Sequence, residues 1–177
     1  MPEQRSALFS WLHTWREDER RGHLRSIHVA TAAGESMQSL DAVDCIAGVG
    51  LQGDRYAEGT GHWIKTDGCQ VTLITTEELA RSARRGAAGW EPGWHRRNLV
   101  IDGIPVAALR RSRLRIGAVI FEFHRLRPPC GYLDRIVSPG AAKALGKGGG
   151  VGLYVCNDGR IHRGDEVELL VSMDSGT

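Results

Sequence analysis

The stretch Arg127-Pro128-Pro129-Cys130-Gly131 sets a thiol on a stiff turn next to a cation. Two successive prolines forbid ladder hydrogen bonds and helix at their own positions, so the loop presents Cys130 rigidly. A thiol in that setting could be a soft metal ligand or a reactive thiolate. The plainer alternative is a small buried apolar side chain, a frequent fate of free cysteine. A second group of polar residues, Arg96-Arg97-Asn98, stands immediately before the apolar run Leu99-Val100-Ile101. Guanidinium groups grip phosphates bidentately, and an asparagine amide both donates and accepts. The competing account of Arg96 and Arg97 is a solvated charge pair at a strand entrance. Asp54-Arg55 follows Gly53, where an aspartate can cap its own turn. His62, His95, His124 and His162 show no metal-ligand spacing; His95, beside Arg96, is the one to test as a proton donor.

Two glycine-rich passages invite nucleotide-binding assignments and fail them. Gly48-Val49-Gly50-Leu51-Gln52-Gly53 matches G-x-G-x-x-G in letters. A dinucleotide fold needs a helix directly after the third glycine, and here Asp54-Arg55-Tyr56 and further glycines follow. Gly146-Lys147-Gly148-Gly149-Gly150 lacks both the spacing and the Ser or Thr of a phosphate loop. Its glycines read as a mobile connection, and Lys147 as a possible phosphate contact.

The elements that must position these groups are mostly strands. A chain of 177 residues with 23 glycines is long enough for one real core and carries many turn signals. Leu24, Ile27 and Val29 mark a strand, Ala42–Ala47 another, and Val71–Ile74 a short buried one. Ile116 to Phe123 alternates as a half-buried strand leading toward Cys130. Asp158-Gly159, flanked by Val151–Cys156 and Ile161, predicts a type I′ hairpin, and Glu166 to Val171 a last strand. Thr75 and Glu78 have capping-box spacing for a helix to about Arg85, with Gly86 beyond its end. Ser138-Pro139 predicts the start of a short helix to Leu145. Residues 1–23 read as an amphipathic helix, with Leu8, Trp11, Leu12 and Trp15 on one face and Gly22 closing it. The domain runs over 24–171, with a tail at 172–177. The fold class is mainly β: a closed or nearly closed β-barrel with a few covering helices.

Composition narrows the function classes. A net charge of +2 does not argue for nucleic acid or a membrane surface. Cys45, Cys69, Cys130 and Cys156 form no C-x-x-C pair, which gives neither a zinc site nor a disulfide framework. Cys45 and Cys156 sit in apolar runs, where burial would explain them. There is no signal-peptide pattern and no apolar run of about 18 residues, so the expectation is a reduced, cytoplasmic protein.

The order of the polar motifs resembles the MOSC domain family, the C-terminal domain of molybdenum cofactor sulfurases. The pieces are Gly50-Leu51-Gln52-Gly53-Asp54-Arg55-Tyr56, Gln70-Val71-Thr72-Leu73-Ile74 and Arg96-Arg97-Asn98-Leu99-Val100, then Arg115-Ile116-Gly117, Pro129-Cys130 and Gly159-Arg160-Ile161-His162-Arg163-Gly164-Asp165. In size and order it is most similar to the stand-alone bacterial members, which include hydroxylaminopurine-resistance proteins. The resemblance implies a β-barrel that binds the molybdenum cofactor (molybdopterin), a pterin dithiolene bearing the metal and a terminal phosphate. It implies Cys130 as catalytic residue and metal ligand, and Arg55, Arg96, Asn98 and Asp54 as cofactor-binding residues. Arg127 stands where many relatives carry another cysteine, so a two-cysteine site is not available. The implied activity is oxidoreduction of N-hydroxylated bases or related small molecules. With no flavin motif or iron–sulfur cysteine set in the sequence, a separate electron-transfer protein is the implied partner. The alternative is a persulfide or cofactor carrier working through Cys130 without redox catalysis. Large sulfurases add a pyridoxal-phosphate domain; no pyridoxal phosphate is expected on this chain.

Overall fold

The computed structural model describes residues 20–62, 68–87 and 91–170. The strand sequence is β1 (Arg21–Val29), β2 (Gln38–Leu40), β3 (Ala42–Ile46), β4 (Gly50–Leu51), β5 (Val71–Thr75), β6 (Leu99–Ile101), β7 (Arg113–Ile116), β8 (Val119–Leu126), β9 (Val151–Val155), β10 (Gly159–His162) and β11 (Glu166–Leu170). Seven of them close a ring in the order β1, β11, β7, β8, β9, β5, β6 and back to β1. Neighbours in the ring are antiparallel except β5 and β6, which run parallel. β2 adds to the far end of β1, while β10, β3 and β4 form a separate small sheet. The expected mainly-β barrel is the observed fold.

Alternation of side chains fills the barrel. Leu24, Ile27, Leu73, Leu99, Ile101, Leu114, Ile116 and Phe121 point inward and are buried. β5 and β6 are buried on both faces, as suits a parallel pair. Their outward residues Ile74 and Val100 pack against Leu133 of helix α2 (Gly131–Ile136) and Leu145 of α3 (Ala141–Leu145). That second cluster fixes α2, and with it Cys130 at the N-cap of α2. The third helix, α1 (Thr76–Ser82), starts where the capping signal places it: the Thr75 hydroxyl accepts the Glu78 amide N–H. A wider turn, Ala83–Ala87, follows, with Gly86 at φ 104°. None of these helices is long and apolar enough to cross a membrane.

Several expectations need correction. Ile116 to Phe123 is not one strand but the corner of the β7–β8 hairpin. Gly117, at φ 55°, makes the turn, and a Cβ there would meet the Asp165 carboxylate. Asp158-Gly159 does not join a hairpin: β9 pairs with β8 and β5, and β10 pairs with β3. The helix expected from Ser138 begins at Ala141, behind Gly140 in the left-handed conformation. Helix α2 was not anticipated. Gly22 lies inside β1, opposite Val167, rather than closing a helix, so the barrel begins at Arg21. The rest of the expected N-terminal helix and the C-terminal tail lie outside the described residues. Cys156, expected to be buried, is exposed just past the end of β9.

Candidate functional site

Asp54 is the floor on which the site is built. Its carboxylate is fully buried and accepts four hydrogen bonds. Oδ1 takes the Ala30 amide at 3.1 Å, the Arg55 guanidinium at 3.0 Å and the Asn98 amide Nδ2 at 2.9 Å. Oδ2 takes the Tyr56 amide at 3.2 Å. Asn98, equally buried, also donates from Nδ2 to the His28 carbonyl at 3.0 Å. Its Oδ1 accepts from the amide of Thr72 at 3.0 Å and from the Thr72 hydroxyl at 2.8 Å. Both amide hydrogens and both lone pairs of Asn98 are thus committed within the protein. These two sequence-derived candidates lie beneath the cavity and tie β5, β6 and the Gly53 turn together.

Above them opens a cavity of about 410 Å³, a volume suited to a cofactor or small substrate. Three of the sequence-derived candidates, Arg55, Arg96 and Cys130, line it together with Arg97, Arg125, Arg127, Tyr56, His62 and Tyr132. No carboxylate is among its described lining residues. Arg55 is held by Asp54, by a bond from its second nitrogen to the Arg96 carbonyl at 3.1 Å, and by stacking 4.7 Å from the Tyr56 ring centre. Tyr56 in turn accepts a hydrogen bond from Arg127 at 3.0 Å. His62 stacks flat on Tyr132 at 3.9 Å, two residues beyond the cysteine.

Arg96 enters the wall on a strained backbone, φ 59°, a conformation that costs a non-glycine residue about 1 kcal/mol or more. Its guanidinium donates to the Glu35 carbonyl. Burial, and then the neighbouring Arg55, hold its pKa below the ordinary arginine value. Arg97 is drawn down further, to about 10, chiefly by burial. The competing account of Arg96 and Arg97 as a solvated charge pair does not hold, since both are partly withdrawn from water. Such cations, on a wall whose described residues include no carboxylate, make the cavity a place for an anion.

Cys130 is exposed at the rim, with no side-chain hydrogen bond to the helix it caps. The other thiols differ. Burial, with Asp44 second, pushes Cys45 up to about 12. Cys69 is buried and donates to the Val71 carbonyl at 3.4 Å. Cys156 is exposed just past the end of β9, and its thiol is raised by partial burial and Glu122. Lys147 is exposed and is not among the described lining residues. Gly149 and Gly150 are buried and packed rather than serving as a loose connection.

His95 is not placed to donate protons to this cavity. It lines a different depression with His28 and Trp94, and its Nδ1 accepts the Arg97 amide N–H at 3.0 Å. Burial, with His28 and Arg97 adding repulsion, lowers its pKa to about 3. In the unfolded chain a histidine protonates near 6.5. The stabilisation from keeping His95 neutral is thus full above pH 6.5 and is lost progressively as pH falls toward 3. The expected result is a fall in unfolding free energy of up to about 1.4 kcal/mol per pH unit across that window, flattened in His95→Asn. Denaturant titrations between pH 7 and 4 measure it; equal slopes in both proteins would refute the assignment.

Comparison with known proteins places the geometry in context. The MOSC domain family profile matches residues 60–168, more than half of the chain. Arg96, Asn98 and Cys130 fall inside the match, and Asp54-Arg55 falls before it. A search of curated protein sequences finds no match. Among solved structures, the YuaD protein from Bacillus subtilis is similar with a TM-score of 0.70 at 18% identity, covering 84% of this chain and 95% of that one. YiiM from Geobacillus stearothermophilus gives 0.63 at 16%, covering 87% and 77%. YiiM from Escherichia coli gives 0.60 at 18%, covering 89% and 73%. At these identities the likeness shows a shared fold.

Proposed function

Because the chain belongs to the MOSC domain family, we propose that its arginine-walled cavity binds the molybdenum cofactor, with Cys130 as the protein ligand to the metal. One observation carries this reading: an exposed thiol shares a wall with five guanidinium groups, and no carboxylate is among the described lining residues. The donor set fits the group in kind. Thiolate sulfur suits a soft metal, and guanidinium groups suit a terminal phosphate. Arg96 and Arg125 are the groups to meet the anionic part. Arg55 is pre-aimed by Asp54, and Asn98 acts from beneath by holding Asp54.

When bound, the cofactor supplies two-electron redox chemistry. The substrates are N-hydroxylated bases or related N-oxygenated small molecules. Reduction of such an N–OH group to N–H consumes two electrons and two protons and releases water. The electrons come from a separate electron-transfer protein. Tyr56, His62 and Tyr132 bring exchangeable protons to the cavity wall, and the Pro128-Pro129 turn keeps the thiol oriented toward it. A second reading is favoured by the exposure of Cys130: a thiol at the rim can carry a persulfide to another protein.

The test is metal analysis of protein made in a host that synthesises the cofactor. Molybdenum and pterin at near-equal amounts with the chain are expected. Sulfane sulfur on Cys130 without molybdenum would replace this reading with the carrier, and neither species would leave a binding module without chemistry.

A further inference from the structure

The arginines of the cavity divide by what their hydrogen bonds reach, and Arg97 stands apart. It is buried, and among the described residues no carboxylate pairs with it. Its donors go to backbone carbonyls on three different segments. Nε reaches the Gly149 carbonyl at 2.5 Å, one terminal nitrogen the Arg127 carbonyl at 2.9 Å, and the other the His95 carbonyl at 3.3 Å. The three segments are the glycine run before β9, the loop that carries Cys130, and the approach to β6.

The glycine run and the cysteine loop also touch directly. The Arg127 amide donates to the Gly150 carbonyl at 2.8 Å. A Cβ on Gly149 would stand 2.8 Å from the Arg127 carbonyl oxygen and 2.8 Å from Pro129 Cδ, closer than real contacts allow. On its other side the run abuts α1, where a Cβ on Gly148 would meet the Glu78 carboxylate. Gly149 leaves room for the cysteine loop to lie against its backbone, while Gly148 makes room for Glu78 and Gly150 for the Leu73 carbonyl.

We infer that Arg97 is a positioning residue: it bolts the Cys130 loop onto the glycine run and so fixes the thiol relative to Arg55 and Arg96. This goes beyond the proposed function and rests on it only in treating Cys130 as the functional thiol. Lysine cannot stand in, because a compact ammonium has no planar fork to span three carbonyls.

Hydrogen exchange followed residue by residue on cofactor-free protein tests the seat. The reporters are the Arg127 amide, bonded to Gly150, and the Leu133 amide, bonded to the Cys130 carbonyl. The reference is the Cys156 amide, bonded to Ile120 across the barrel wall. In Arg97→Lys both reporters should exchange about tenfold faster or more, the effect of losing charge-assisted bonds, with Cys156 unchanged. Gly149→Ala should give the same local pattern with the cation intact, and it carries the test if Arg97→Lys fails to fold. Reporters that do not change, or that speed up equally with Cys156, would overturn the inference. Molybdenum content is the second readout: full occupancy in Arg97→Lys also overturns it. If wild-type protein carries no molybdenum, the proposed function falls, and the exchange result alone decides this inference.

Discussion

Cys130→Ser should fold and melt like the parent while losing bound molybdenum, or persulfide, and all activity that depends on it. The thiol is exposed and makes no side-chain hydrogen bond at its N-cap position, so its removal should change stability by no more than about 0.5 kcal/mol. The Pro128-Pro129 turn and the Arg127 bond to Gly150 hold the loop without help from sulfur. Serine keeps the volume but offers a protonated, hard oxygen where a soft thiolate is required. Cys45→Ala, in contrast, empties a buried site and should cost about 1–2 kcal/mol with metal content preserved. Cys156→Ala should do little of either, being exposed and outside the cavity wall. Metal analysis alongside thermal melts of the three variants decides the matter. Retained molybdenum in Cys130→Ser would mean the site lies on another loop.

The second large effect falls on stability. Asp54→Ala should cost about 3–5 kcal/mol in the cofactor-free protein, because it strands the buried Arg55 cation and leaves three further donors unpaired. That is a large part of the stability of a domain this size, commonly about 5–15 kcal/mol. Asp54→Asn keeps the shape and one acceptor and should lose less, so it stays measurable if the alanine variant does not fold. Denaturant unfolding without cofactor gives the comparison. A loss under about 1 kcal/mol in Asp54→Ala, coupled with lost cofactor binding, would instead make Asp54 a direct contact.

These two residues illustrate what the sequence could and could not reveal. The stiff turn that carries Cys130 was legible because its signal is local: two prolines set the loop whatever lies elsewhere, while the family resemblance singled out the thiol. The cap at Thr75 was legible for the same reason, since donor and acceptor lie three residues apart. Asp54 and Asn98 were legible as polar residues of consequence, but not as a buried pair, because they stand 44 positions apart in the chain. The Asp158-Gly159 misreading has the same origin. Asp158 accepts the Ala47 amide, and Arg160 pairs with Asp44 at 2.8 Å, so the segment answers to β3 rather than to its neighbour β9. Arg97 looked like half of a solvated pair because nothing in its immediate sequence announces that distant carbonyls will surround it.

The ring closes where β1 meets β11, and Arg21 and Glu166, bonded across that seam, are 145 positions apart. Bringing such distant segments together loses loop entropy before any contact rewards it, so topologies of this kind fold slowly. During synthesis the seam is the last part of the barrel that can form, since β11 is the final described strand. Arg55, Arg97 and Cys130 have all emerged earlier, on segments next to β4, β6 and β8, yet the ring behind them closes only when the seam shuts. A ligand that needs Arg55 and Cys130 in the places the closed ring and Arg97 give them should therefore load after folding rather than guide it.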